Sequence, residues 1–168
     1  GMSAVAFAEK RSLMNREEYL AFERTSSEKH EFHDGEVFAM AGARRRHNQL
    51  GARLGGLLDA ALRGCPCEVY SSDMKVRIPN RDRYMYPDVS VACGEPLFED
   101  EEELVLLNPL LICEVLSPTT QSYDRGDKFA DYRTIPMAHA ASVVTFDGPV
   151  CGDGACNGAE TCGTCAKD

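Results

Sequence analysis

No run of apolar residues in this 168-residue chain approaches the ~20 that a membrane-spanning helix requires. The N-terminal stretch also lacks a basic start followed by an apolar core, so no secretory leader is expected. Together these absences predict a cytoplasmic protein without membrane contact. Positive charge is in deficit: 18 Lys and Arg face 27 Asp and Glu, a net charge of −9. A broad basic footprint for nucleic acid is thereby excluded. Any such contact must come from local basic clusters, or from metal ions that neutralise carboxylates. No internal repeat runs through residues 1–150. What is present is globular: 43% hydrophobic and 27% charged residues exclude disorder, collagen and coiled coil.

The length suits one domain with a short appendage. Cysteine marks the division. Cys65, Cys67, Cys93 and Cys113 are scattered, whereas Cys151, Cys156, Cys162 and Cys165 crowd into the end of the chain. The composition changes at Gly148-Pro149, which predicts a domain over 1–148 and a Cys-rich tail over 149–168.

Along the domain, Asn15 can cap a first helix over 15–24, with Glu18 in the capping-box position three residues later. Residues 31–40 alternate around Asp34-Gly35, a hairpin turn signal. Leu50, Leu54, Leu57, Leu58 and Ala61 recur at helical spacing and predict a helix over 46–62, ended by Gly64. Strands follow at 67–71, 73–78 and 84–92. The nearly continuous apolar run 110–116 reads as a strand buried on both faces. A helix is predicted over 120–134 and a last strand over 142–146. The acidic run 99–103 reads as a solvated loop. This order predicts a mixed α/β domain, with a central sheet flanked by helices.

Glu114 is the only charge in the 110–116 run. An ionised carboxylate in a core must be paired with a cation or bound to metal, and an arginine salt bridge is the plain alternative. Asp88 follows Pro87 in another predicted core strand. If the two strands are neighbours, Asp88 and Glu114 can converge on a hard divalent cation, and Mg²⁺ uses only one or two carboxylates. Lys128, on the next predicted helix, can reach the strand end and neutralise charge developing on a phosphate; an ion pair with Asp124 on its own helix is the alternative. Glu31, before the Asp34-Gly35 turn, is a further acid or simply the polar face of a strand. Arg44, Arg45 and Arg46 at a helix N-terminus oppose the helix dipole, which an anion would relieve. With Arg81 and Arg83 they are candidates for phosphate contact, or else a solvated turn. His47 reads as a core or capping histidine.

The stretches Glu28-Lys29-His30-Glu31-Phe32-His33-Asp34-Gly35-Glu36, Arg46-His47-Asn48, Tyr86-Pro87-Asp88-Val89-Ser90-Val91, Glu114-Val115-Leu116-Ser117-Pro118 and Tyr123-Asp124-Arg125-Gly126-Asp127-Lys128-Phe129 occur in one order. They resemble the Uma-type putative restriction endonuclease family, of the PD-(D/E)XK nuclease-like superfamily, over residues 13–137. The resemblance implies a restriction-endonuclease-like fold with an α-β-β-β-α-β core. It also implies divalent-metal-dependent phosphodiester hydrolysis, with Asp88 and Glu114 holding Mg²⁺ (or Mn²⁺). The superfamily's usual lysine two places after the second acid is replaced here by Leu116, and Lys128 takes its role in positioning the attacking water. Glu31 matches the family's extra N-terminal acid, a ligand for metal or water. The implied partner is nucleic acid, most simply DNA. The missing Glu-x-Lys lysine and the net negative charge support an alternative, a non-catalytic interaction module that keeps the fold.

Beyond residue 137 the chain departs from the family pattern. Cys151-Gly-Asp-Gly-Ala-Cys156-Asn-Gly resembles a short repeat of secreted, Cys-rich bacterial proteins. Its four cysteines suit two disulfides, no function of their own, or a zinc site, in that order. If strands that complete the sheet are lost there, an uncovered edge favours a homodimer. Light scattering at micromolar concentration is expected to give twice the 18.5 kDa chain mass; a monomer contradicts the dimer.

Overall fold

The computed structural model describes residues 10–11, 13–40, 42–116, 127–136 and 140–145. The fold begins with a two-residue strand β1 (Lys10–Arg11) and helix α1 (Arg16–Thr25). Asn15 caps α1 as predicted: its side chain accepts the Glu18 N–H at 2.9 Å, and Glu18 accepts the Asn15 N–H at 2.8 Å. Strands β2 (His30–His33) and β3 (Glu36–Ala39) form the expected hairpin. Its turn needs a left-handed backbone at both central residues, and Asp34 (φ 51°) and Gly35 (φ 99°) supply it.

Helix α2 (Arg45–Ala61) follows, then β4 (Cys67–Ser71), β5 (Lys75–Ile78), β6 (Arg83–Met85), β7 (Val89–Cys93), β8 (Val105–Leu106) and β9 (Leu111–Leu116). A short helix α3 (Phe129–Tyr132) and strand β10 (Ala140–Thr145) end the described chain. The remainder of the helix predicted over 120–134, and the Cys-rich tail, lie outside the described residues.

The mixed α/β architecture is as expected, but its strands are divided between two sheets. One has the order β1-β3-β2-β6-β5-β8, the other β10-β9-β7-β4. In the second, α2 precedes β4, α3 lies between β9 and β10, and β10 runs parallel to β9. That set traces the α-β-β-β-α-β order, with β5, β6 and β8 contributed to the other sheet.

The single strand predicted over 84–92 is two strands, one in each sheet. Pro87 has no N–H to give a ladder, and the chain passes between sheets at Tyr86-Pro87-Asp88. The crossover separates β6 from β7 and leaves Asp88 at the entrance to β7. Cys67 and Cys93 are 26 residues apart in sequence but opposite each other in the β4–β7 register, and they form a disulfide.

Val76, Ile78, Met85 and Leu106 from one sheet meet Ala92 and Ile112 from the other in a common core, which Tyr132 and Ile135 close. A second cluster packs α1 onto the first sheet: the Tyr19 ring stacks on Phe32 at 4.9 Å, and its hydroxyl donates to the His30 carbonyl. Each such fully buried large side chain contributes roughly 1.5–3 kcal/mol. Helix α2 departs from expectation. None of its residues is buried, and Leu57, read as part of its apolar face, is 70% exposed.

Replacing Asn15 by Ala is expected to lower stability by about 1 kcal/mol. Urea titration of the two proteins reads this; coincident transitions mean that the capping box carries no weight.

Candidate active site

Three elements distant in sequence deliver charged side chains to one buried place. Glu31 comes from β2, Glu114 from β9, and Lys128 from the turn that starts α3; all three are buried. The Lys128 ammonium lies 3.2 Å from Glu31 Oε1 and 3.0 Å from Glu114 Oε1. Glu114 therefore has a lysine as its cation rather than an arginine. Tyr132, four residues after Lys128 and so on the same helical face, donates its hydroxyl to Glu114 Oε1 at 2.6 Å.

Asp88 joins from the crossover. The β7–β9 register pairs Val89 with Cys113, and one residue further it sets Asp88 against Glu114. The Val115 N–H donates to Asp88 Oδ2 at 2.7 Å, and His47 Nε2, from the first turn of α2, lies 3.2 Å from the same oxygen. The neighbouring Tyr86 is fixed on two sides. Its N–H donates to Glu31 Oε1 at 3.3 Å, and its hydroxyl donates to Glu23 of α1 at 2.8 Å. His33 lies 3.3 Å from the second Glu31 oxygen.

The two buried glutamates are driven in opposite directions. Burial pushes the Glu114 carboxyl up to about 7; Lys128 offsets only part of this, and the Asp88 charge adds to it. Burial acts on Glu31 as well, but Lys128, His33 and the Tyr86 N–H outweigh it and hold that carboxyl at about 2. Asp88 is also held below its ordinary value. Burial opposes that shift, and the His47 and Val115 hydrogen bonds overcome it. His47 is correspondingly raised by its hydrogen bond to Asp88.

The predicted phosphate contacts divide. Arg44, Arg45 and Arg46 are exposed at the start of α2, close in sequence to His47. Arg81 and Arg83 instead serve the fold. Both pair with the buried Asp131, and Arg83 also donates two hydrogen bonds to Asp34, each 3.0 Å. Sequence reasoning missed His47 as a partner of Asp88, and missed Tyr132 and His33. The Lys128–Tyr132 spacing of four on a helix was the available signal for Tyr132. Nothing local marks the other two.

Residues 16–144 match the Uma2 family, described as a putative restriction endonuclease family. The chain belongs to this family. The Uma2 match extends past residue 137, where the resemblance read from sequence stopped, and takes in most of β10. Two Synechocystis sp. (strain ATCC 27184 / PCC 6803 / Kazusa) proteins, both uncharacterized (slr1290 and sll1609), are 42% and 40% identical to it over 124 residues, or 74% of this chain. The Uma2 chain spans 64% of the length of the first and 70% of the second. A crystal structure described as a putative nuclease belonging to DUF820, from Anabaena variabilis ATCC 29413, superposes with a TM-score of 0.64. The superposition covers 79% of this chain and 74% of that one, at 13% identity, and shows a common restriction-endonuclease-like nuclease fold.

Among the described residues no group of three or more His, Cys, Asp or Glu side chains is gathered as a metal cage. Two carboxylates are what Mg²⁺ takes when waters and phosphate oxygens complete its shell. Asp88 Oδ1 and Glu114 Oε2 make no hydrogen bond or ion pair among the described residues, and neither is a buried orphan. Both Glu31 oxygens, by contrast, are engaged. The donor set therefore fits one hard cation at Asp88 and Glu114 better than at Glu31.

Because native Glu114 holds its proton up to about 7, against 4.5 for an unperturbed carboxyl, the metal-free native state binds more protons than the unfolded chain between these values. Its contribution to stability is present below pH 4.5 and is lost as pH rises through 7. Relative to wild type, Glu114→Gln is expected to gain about 3 kcal/mol between pH 4.5 and 8 in chelator. Denaturant titration across that range checks it; parallel curves refute the burial argument.

Proposed function

We propose that this Uma2-family protein hydrolyses phosphodiester bonds in nucleic acid, most simply DNA, using Mg²⁺ or Mn²⁺ held by Asp88 and Glu114. The observation that carries this reading is the buried Lys128 ammonium, 3.0 Å from Glu114 Oε1, beside two acids that each keep one oxygen without a partner among the described residues. A bound divalent cation would supply Lewis acidity at the phosphate and lower the pKa of water.

The chain's own residues supply the rest. Lys128 arrives from the helix after β9, and so compensates for Leu116 at the position two residues beyond Glu114. Its ammonium would orient the attacking water and neutralise charge growing on the phosphoryl oxygens. Glu31 holds Lys128 at 3.2 Å and acts as its anchor, in place of the ligand role expected from sequence. His47 fixes Asp88 from α2. Arg44, Arg45 and Arg46 continue that edge with exposed positive charge, a local cluster within an acidic chain that suits the phosphate backbone.

One observation favours a second reading. In the Glu31–Lys128–Glu114 set the two acids already hold the lysine between them without any ligand. A protein that kept the fold as an interaction module would retain it for stability alone.

The two readings separate on metal binding and turnover. In the hydrolytic reading, Mg²⁺ or Mn²⁺ at ~100 times its Kd raises stability by about 2.7 kcal/mol in wild type and has no effect in Asp88→Asn. Plasmid and oligonucleotide cleavage requires metal, and Lys128→Ala lowers it by roughly 10²-fold or more. No metal-dependent rise in Tm and no cleavage would establish the interaction module instead.

A further inference from the structure

A second buried polar group lies behind the crossover that carries Asp88. Glu17 and Glu18, the first acids of α1, are exposed, whereas the Glu23 side chain is only 5% exposed. Glu23 follows Tyr19 by four residues, so both project from the face of α1 that packs on the first sheet. A buried carboxylate is costly unless hydrogen bonds satisfy it, and three groups hold Glu23. Its Oε1 accepts from the His30 N–H at 2.9 Å and from the Tyr86 hydroxyl at 2.8 Å, and its Oε2 lies 3.0 Å from His30 Nδ1. All three contacts stop short of Asp88 and Glu114.

Tyr86 carries this attachment into the site. The tyrosine is buried, and the ammonium groups of Lys29 and Lys75 lie 5.5 and 5.6 Å from its ring centroid. Its N–H meets the Glu31 oxygen that Lys128 also approaches. Between Tyr86 and Asp88 stands Pro87. The pyrrolidine ring locks the proline φ and restricts the residue before it to extended conformations. The link from Tyr86 to Asp88 therefore has few soft torsions. A displacement of the tyrosine is passed on to the acid rather than absorbed between them.

We infer that Glu23 is a positioning residue for the Asp88–Glu114 pair, acting through the Tyr86 hydroxyl and the stiff Tyr86-Pro87-Asp88 link. The inference rests on the hydrolytic reading above. Loss of the Glu23–Tyr86 bond lets Asp88 shift relative to Glu114, so that the pair takes up a divalent cation less tightly. Groups that orient metal-binding side chains are worth roughly 10–100-fold in affinity. Glu23 acts one link further away, and the expected loss is about tenfold, the lower end of that range. A purely structural role, in which Glu23 only fastens α1 to β2 through His30, predicts lower stability with no change in metal affinity.

The experiment titrates the full chain with Mn²⁺ by calorimetry. Wild type is expected to bind the ion and Asp88→Asn to lose it. Tyr86→Phe removes only the hydroxyl; the ring, the backbone bond to Glu31 and the His30 contacts of Glu23 stay in place. It is expected to raise the Mn²⁺ Kd about tenfold. Glu23→Gln still offers an oxygen to the tyrosine and is expected to keep the wild-type Kd. Glu23→Ala is expected to match Tyr86→Phe, and the double variant to be no weaker than either single one, because both remove one interaction. In nucleic-acid cleavage, Tyr86→Phe is expected to lose rate at limiting metal and to recover it in excess metal. An unchanged Kd in Tyr86→Phe overturns the inference and leaves the hydrolytic reading intact, even where Glu23→Ala fails to fold. Failure of wild type to bind Mn²⁺ through Asp88 overturns the hydrolytic reading, and the positioning role with it.

Discussion

Three ionisable side chains, Glu31, Glu114 and Lys128, are buried together, and each would be costly there alone. Removing a charge of either sign leaves another uncompensated in a poorly solvated place. This requirement couples β2, β9 and the α3 turn. Tyr132 extends the coupling into the common core, because its ring packs between the sheets while its hydroxyl serves Glu114. The arrangement also leaves Glu114 at the edge of ionisation.

The crossover Tyr86-Pro87-Asp88 is the second determinant. It joins two sheets, and its side chains are tied into the site. Tyr86 is tied to Glu23 and Glu31, and Asp88 to Val115 and His47. Asp88 is thus placed one residue before the β7–β9 register begins, where the Val115 N–H and His47 hold its carboxylate. A rigid base of this kind is what a pair of acids needs if both are to face one small cation. The comparisons agree at the level of family and fold, since the Uma2 match spans both acids, Glu31 and Lys128.

Much of this could be read from residues alone. The α1 capping box, the Asp34-Gly35 hairpin, the extent of α2 and the doubly buried strand at β9 each rest on contacts within a few residues. Glu114 stood out because a lone acid in an apolar run has few explanations. Arg83, offered for phosphate contact, turned out to be committed to Asp34 and Asp131. Its partners lie 49 and 48 residues away, where no local pattern marks them. The strand expected over 84–92 failed for a related reason: alternation continues through Pro87, but the sheet to which each half belongs is a tertiary choice.

The sequence by itself determined the local elements, the mixed α/β class and the identity of the acids and the lysine, because turn chemistry, periodicity and the cost of burying charge act at short range. Only the tertiary structure decided which charges meet. Lys128 reaches Glu31 and Glu114 because packing α3 over β9 sets its ammonium between them. The division into two sheets and the Cys67–Cys93 pairing are likewise products of register and packing. They depend on residues far apart in the chain, and no single stretch of sequence contains both halves of any of these contacts.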